Sequence, residues 1–423
     1  MMTNAEWAAQ CRQELTGNIL PFWMRHTVDR ENGGFYGAID CDLKVDKQAP
    51  RAAVINARIL WTFSAAARVL GDAAYRETAD WAYQYIVDKF WDKEHGGVYW
   101  MLDCLGNPVS GRKQIYAQAF AAYGMSEYFR ATGCPEGLEF AKRLYRLIEE
   151  KSGEPEYGGY IEARARDWSA LEDQRLSDKD LNSPKSMNTH LHILEAYTNL
   201  LRAWPDDALR ASLRRLLEVT MDRIVDNSTA HFKMFFLNDW TSLTDHISFG
   251  HDIEGSWLIQ EAAEVLGDAA LLDRARELAV RMAQAVYDEG LDTDGSIFYE
   301  ASHGRLVDPN KHWWAQAEAV VGFYNAYQLS GQDHFRTAAF RAWEYIGDKV
   351  VDKIHGEWHA KLKPDGTSWK AKEDPDACLV GAWKCPYHNA RLCLEMWGRL
   401  VARPRIGGRA ILPAAGFQPA STS

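Results

Sequence analysis

Apolar positions along this chain recur every three or four residues in long runs, and the runs come in pairs. Over residues 5–23, Trp7, Cys11, Leu15, Ile19 and Phe22 keep that spacing and predict an opening helix. The same pattern predicts helices over 53–70 and 74–92, 113–131 and 135–152, 184–204 and 208–226. It continues over 250–266 and 268–290, 313–329 and 332–352, and ends with 386–400. Between the pairs lies a recurring aromatic turn: Gly33-Gly34-Phe35-Tyr36, Gly96-Gly97-Val98-Tyr99 and Gly158-Gly159-Tyr160-Ile161. Weaker echoes stand at His231-Phe232-Lys233-Met234-Phe235, Asp294-Gly295-Ser296-Ile297-Phe298-Tyr299 and His355-Gly356-Glu357-Trp358.

Six such units cannot each bury an apolar face alone, so they must stack on one another. The closed solution is an all-α (α/α)6 barrel, a toroid of six helix pairs, with short hairpins and long loops gathered at one mouth. The repeat runs without a Pro/Gly/Ser linker to about residue 400, so residues 1–400 are expected to form one barrel domain. Residues 401–423, rich in Pro, Gly, Ala and Ser, read as a disordered tail. Within 184–204, Asn188, His192, Glu195 and Asn199 form one continuous stripe beside the apolar face of Met187, Leu191, Leu194 and Thr198. Such a stripe suits an inner helix lining a wet cavity.

Composition narrows the class of partner. The chain has 423 residues, 47% hydrophobic and 25% charged, as in an ordinary soluble protein. A net charge of −11 speaks against nucleic acid and against an anionic membrane surface. No uninterrupted apolar stretch approaches membrane-spanning length, and the first ten residues lack the basic and apolar regions of a signal peptide. Seven cysteines, odd in number and without a CxxC pair, fit reduced thiols in the cytoplasm. Seventeen Trp and eighteen Tyr are many, and those not needed in the core suit stacking on sugar rings.

Three of the thirteen histidines stand at the starts of predicted helices or on the polar stripe. His251 lies in Ser248-Phe249-Gly250-His251-Asp252-Ile253-Glu254, where Glu254, three residues on, shares its helix face and is placed to orient the imidazole. His388 follows Pro386 in Trp383-Lys384-Cys385-Pro386-Tyr387-His388-Asn389, and His192 lies on the stripe. No metal is expected: His190 and His192 point apart on a helix, no HExxH is present, and His251-x-x-Glu254 lacks a second Glu-x-x-His. GxxxxGK[ST], GxGxxG and GxSxG are missing too. Helical barrels also host inverting glycosidases, which need two carboxylates roughly 6.5–9.5 Å apart. Asp180, Glu254, Glu318 and Asp374 are the candidates, and their separation is not written in the sequence.

Five motifs in order resemble the N-acylglucosamine 2-epimerase superfamily over roughly residues 5–400: Asn56-Ala57-Arg58-Ile59-Leu60-Trp61-Thr62-Phe63-Ser64, Asn188-Thr189-His190-Leu191-His192, the His251 motif, Trp313-Trp314-Ala315-Gln316-Ala317-Glu318, and the His388 motif. Within it the chain is most similar to the members acting on β-1,4-linked disaccharides. The resemblance implies an (α/α)6 barrel and reversible epimerisation at C2 of the reducing-end sugar of cellobiose, lactose or mannobiose, without metal or nicotinamide. His251 and His388 match the family's acid/base pair, and His192 a third histidine assisting ring opening or polarising O1. Arg58 matches the group facing the enediolate oxygens, with Glu254 orienting His251. Tyr116, Asn188, Trp314, Glu318 and Trp383 match positions that hold or stack the sugar, with Asp180 a hydrogen-bonding candidate. Of Trp313 and Trp314 one must be core, because adjacent helical residues cannot both face a cavity.

Three other readings remain open on the sequence. A monosaccharide aldose–ketose isomerase or a mannose or N-acylglucosamine 2-epimerase shares the enediolate. An inverting glycosidase shares the barrel, and so does a non-catalytic binding barrel. The expected assembly is a monomer or weak homo-oligomer.

Overall fold

Helices α1 (Asn4–Glu14) and α2 (Leu20–His26) open the chain, followed by α3 (Ala53–Leu70), α4 (Ala73–Tyr85), α5 (Ile115–Thr132), α6 (Pro135–Ser152), α7 (Met187–Ala203) and α8 (Asp207–Val219). Then come α9 (Phe249–Leu266), α10 (Ala269–Glu289), α11 (Trp313–Ser330), α12 (Asp333–Tyr345) and α13 (Tyr387–Val401). The computed structural model describes residues 2–370, 372–374 and 376–401, so the tail expected to be disordered lies almost wholly outside the described residues. Helices α3, α5, α7, α9, α11 and α13 pack in that order, and α13 returns to α3, closing a ring. Helices α4, α6, α8, α10 and α12 each pack outside the inner helix that precedes them, and α1 packs on α13 as the sixth outer helix. This is the expected (α/α)6 barrel.

The two layers follow from composition. Inner helices are buried all round because both flanks are covered: in α3 every residue from Ala53 to Ala66 is buried. Outer helices bury one stripe, as α8 does through Leu209, Ser212, Leu213, Leu216 and Leu217. The turn from inner to outer helix is short. Helices α3 and α9 end on Gly71 and Gly267 in the left-handed region, and Asp72 and Asp268 then cap α4 and α10. Helix α3 has the length and mean apolarity of a membrane span, but it carries Asn56, Arg58 and Arg68 and lies mostly buried in the ring. Four outer helical segments include a π-helical turn (Leu15–Ile19, Ile86–Phe90, Thr220–Ile224 and Ile346–Val350), a register change that apolar periodicity does not announce.

The aromatic turns fasten each unit to its inner helix in two ways. In five units a buried cation just ahead of the inner helix meets an acid of the turn. The pairs are Arg51–Asp29, Lys113–Asp92 at 2.9 Å, Lys185–Glu154 at 3.1 Å, Lys311–Asp292 at 2.7 Å and Lys384–Glu357. One turn into the helix, a polar side chain pins the turn's backbone in the second to fifth units, while at the same position Asn56 donates to Ala52 C=O and Asn389 to the Glu357 carboxylate. Gln118 Oε1 accepts from Val98 N–H at 2.8 Å and its Nε2 donates to Val98 C=O at 2.9 Å. Gln316 does the same with Ile297, and His190 Nε2 accepts from Tyr160 N–H. The double glycines are needed because both residues have positive φ, 73° at Gly96 and Gly97. The weaker turns hold the same shape with Ala230 (φ 62°) and Glu357 (φ 65°) in the left-handed region.

The Gln118 pin lies inside the barrel wall with no exposure. Gln118→Leu strands a buried N–H and C=O, so it is expected to lower the unfolding free energy by about 2–4 kcal/mol in denaturant titration. A change below about 0.5 kcal/mol would show that the pins are incidental to the fold.

Candidate active site

The pins also set the register of the cavity. Two residues beyond the pin position in each inner helix stand Arg58, Phe120, His192, Glu254, Glu318 and Arg391, one from each of the six helices. Two residues before it stand Tyr116, Asn188, Gly250, Trp314 and Tyr387, while His251 and His388 precede their pins by one. The mouth-facing half of the inner ring therefore collects nearly every residue singled out from the sequence.

At the centre is Arg391, buried and charged. Its Nη1 bonds Glu195 Oε1 and the Tyr387 hydroxyl, while Nη2 bonds Glu254 Oε1 and lies 2.6 Å from Glu318 Oε1. Tyr387 O–H also donates to Glu195. Each carboxylate then reaches outward. Glu318 Oε1 accepts from His388 Nδ1 at 2.7 Å, and its Oε2 from Trp257 Nε1 at 3.0 Å. Glu195 Oε2 meets His192 Nδ1 at 3.0 Å. An ionised carboxylate only accepts, so His388 and His192 each carry a hydrogen on Nδ1, and in His388, which burial holds neutral, Nε2 is left as an acceptor.

His251 is held differently. Its Nδ1 pairs with Ser248 Oγ at 2.7 Å, and its ring lies 4.7 Å from Trp314. The expected Glu254–His251 pairing is not made: Glu254 turns to Arg391 and stands 3.9 Å from His388 Nδ1. Residues three apart do share a helix face, but His251 is in the first turn, where the preceding Ser248 reaches its ring first. Trp314 lies against both histidines, 5.5 Å from His388, and Gly250 admits it. A Cβ at Gly250 would stand 2.6 Å from the Trp314 ring. Trp313 meets the His388 ring edge-on at 6.2 Å and carries Lys384 Nζ 5.2 Å over its face.

On the opposite wall Arg58 Nη2 donates to the Tyr116 hydroxyl at 2.8 Å, and its guanidinium sits 4.2 Å over Phe120. Tyr116 and Phe120 pack against His192 at 5.0 and 4.7 Å. Trp383, half-buried, faces Tyr116 and Trp100, both at 6.1 Å. Asn188 sits one turn before His192 with its Oδ1 buried and unpaired, and Glu254 Oε2 is likewise unpaired. Asp180, in the loop after residue 164, accepts from Ser177 N–H and Oγ at 2.8 and 3.0 Å.

The protonation states follow from burial and charge. Burial, then the neighbouring His192 and Arg58, drive the His251 imidazolium down to a pKa of about 3. Burial, with Arg58 and Arg391, pushes His388 well below its ordinary value. Both are neutral near pH 7. Burial and the adjacent Glu318 lift Glu254 to about 7. Burial would also raise Glu195, but Arg391 and His192 outweigh it and bring it to about 2. Among the described residues, Glu254, Glu318 and His388 place three ligand-type atoms within 4.8 Å, a spacing a metal ion accepts. Arg391 Nη2 already bonds both carboxylates there. The hydrolase candidates are similarly engaged, with Asp374 paired to Lys361 at 3.0 Å.

Arg391, Tyr387, Trp257 and Ser248 were not among the residues expected to act. Aligning the six inner helices on their pins would have found Arg391, since it takes the place that Arg58 takes in the first unit.

A model of the N-acylglucosamine 2-epimerase (GlcNAc 2-epimerase) family matches residues 34–378. A cellobiose 2-epimerase of Bacteroides fragilis is 47% identical over 390 residues, covering 92% of this chain and 98% of that protein. The solved structure of cellobiose 2-epimerase from Bacillus thermoamylovorans superposes with a TM-score of 0.88 at 40% identity, covering 93% of this chain and all of the other. A D-mannose isomerase structure shares the fold at a TM-score of 0.78 and 21% identity. With the barrel, the five motifs and this match in agreement, the chain belongs to the N-acylglucosamine 2-epimerase family.

Proposed function

We propose that this protein reversibly epimerises C2 of the reducing-end glucose or mannose of β-1,4-linked disaccharides such as cellobiose, lactose or mannobiose. One observation carries the mechanism: two imidazoles, His251 and His388, both lie against the Trp314 ring, at 4.7 and 5.5 Å. The substrate class rests on the names of the relatives that cover the whole barrel. Residues 1–400 are read as one catalytic domain, working as a monomer or weak homo-oligomer. A cytoplasmic location fits seven unbridged cysteines.

Once the hemiacetal opens, with His192 Nε2 placed to take or return the ring-opening proton, the C2–H lies beside an aldehyde. One imidazole Nε2 removes that proton, and the electron pair moves into an enediolate. The guanidinium of Arg58 and the hydroxyl of Tyr116 face the developing negative charge in a site shielded from water. The second imidazole, neutral at rest, takes a proton from solvent before this step and delivers it to the opposite face of C2, inverting it, while the first returns the proton it removed to solvent. Traffic in the reverse direction exchanges the two roles, so no net proton is consumed over a turnover. Glu318 fixes the His388 tautomer, and Ser248, whose hydroxyl can donate or accept, holds the His251 ring in place. Trp314 and Trp383 offer apolar faces to the sugar, while Asn188 Oδ1 and Glu254 Oε2 offer unpaired acceptors to its hydroxyls.

Incubation with cellobiose in D2O, without metal or nucleotide, is expected to give glucosyl-mannose bearing deuterium at C2 by NMR. A ketose product would move the assignment to an isomerase, and free glucose would replace it with a hydrolase. His388→Ala and His251→Ala are each expected to lower kcat by about 10³-fold while the protein stays folded. Glu318→Gln keeps the shape but removes the charge behind His388, and a fall in kcat of about ten- to a hundredfold at nearly constant KM is expected.

A further inference from the structure

The fourth unit breaks the pattern of the other five. Where they place a buried Lys or Arg just before the inner helix, it has Ile247, so the acid of its turn, Asp226, has no buried cation opposite. Its pin differs as well. Gln118 and Gln316 are neutral, whereas this unit uses Asp252, a carboxylate with no exposure. Asp252 Oδ1 accepts from Phe232 N–H at 2.7 Å, and its Oδ2 meets His231 Nδ1 at 2.7 Å. His231 Nε2 in turn lies 3.4 Å from Glu289 Oε1 of α10. The ion pair has moved from the approach to the inner helix into its first turn, one residue from His251.

We infer that the His231–Asp252 ion pair is the positioning device for His251, clamping the first turn of α9 to the aromatic turn so that the imidazole meets Ser248 and Trp314. The inference rests on the reading of His251 as a catalytic base. The His231 ring meets Phe249, the first residue of α9, edge-on at 6.2 Å. A buried carboxylate without a cation is costly, so Asp252 needs His231 in its protonated form. The groups facing His231 are Asp252 from α9 and Glu289 from α10. Asp226 lies across the strand pair and is engaged by Ser228, with Lys233 at 4.0 Å. Burial opposes the charge on His231, but Asp252 and Glu289 outweigh it and lift the pKa to about 9. A raised imidazole contributes its full stabilisation below its ordinary value near 6.5 and loses it as pH rises through about 9.

The test is the pH dependence of kcat and KM for His231→Gln and for the double variant His231→Gln/Asp252→Asn, on enzyme shown to be folded by circular dichroism. The single variant leaves Asp252 without a cation. It is expected to lose kcat by about ten- to a hundredfold, the effect of slight misplacement of a reacting group, with KM within about twofold. The double variant recreates the neutral pin of the second and fifth units and is expected to recover kcat to within about threefold of the parent and to lose the alkaline limb near pH 9. A single variant with the parent's kcat and alkaline limb would overturn the inference, as would a double variant no better than the single. Full turnover in His251→Ala would instead overturn the assignment of His251 itself.

Discussion

One guanidinium ties together the carboxylates behind two of the three cavity histidines. Arg391 is fully enclosed in the barrel and bonds Glu195, Glu254 and Glu318, each from a different inner helix. Buried charge of this kind is a weak source of stability, because desolvation offsets most of the attraction. Its effect is geometric. Four helices must meet at fixed rotation for the fork of the guanidinium to be satisfied, and the same carboxylates then fix His388 and His192 by their Nδ1 atoms. Burial already raises Glu254 and Glu318 against the pull of Arg391; without that cation they would be protonated more readily still, and the histidine tautomers would lose their definition.

The barrel separates construction from chemistry by register along one type of helix. Residues at the pin position in four units, and the cation before the helix in five, fasten the aromatic turn to the inner helix. Residues two before and two beyond the pin face inward and differ from unit to unit: Arg58, Phe120, His192, Glu254, Glu318 and Arg391. A sixfold scaffold can therefore present six unlike side chains at one depth. The fourth unit is where the separation lapses, since its pin is charged and lies next to a functional histidine.

Much of this was legible in the chain. A period of 3.6 residues and a recurring glycine turn are local signals, so the helix pairs and the ring could be read without coordinates. His192, His251 and His388 were visible because polar residues interrupt otherwise apolar helices. What the sequence hid was pairing at long range. Arg391 bonds Glu254 and Glu195 across 137 and 196 residues, and nothing in its own neighbourhood marks it as more than a polar residue of the last helix. The choice of Ser248 over Glu254 as partner of His251 turned on side-chain direction in a first helical turn, which spacing alone does not carry. Helix rules distinguished Trp313 from Trp314 only to the extent that one had to be core, and Gly250 opposite decided for Trp314.

The central claim is that the buried Arg391 cluster keeps His388 neutral, with its hydrogen on Nδ1 and a free lone pair on Nε2. Imidazole ¹⁵N NMR on histidine-labelled protein between pH 5 and 8 measures this directly, with His388→Gln used to assign the resonance. The account predicts a protonated Nδ1 and an unprotonated Nε2 across the whole range. An imidazolium at neutral pH, or the opposite tautomer, would contradict it.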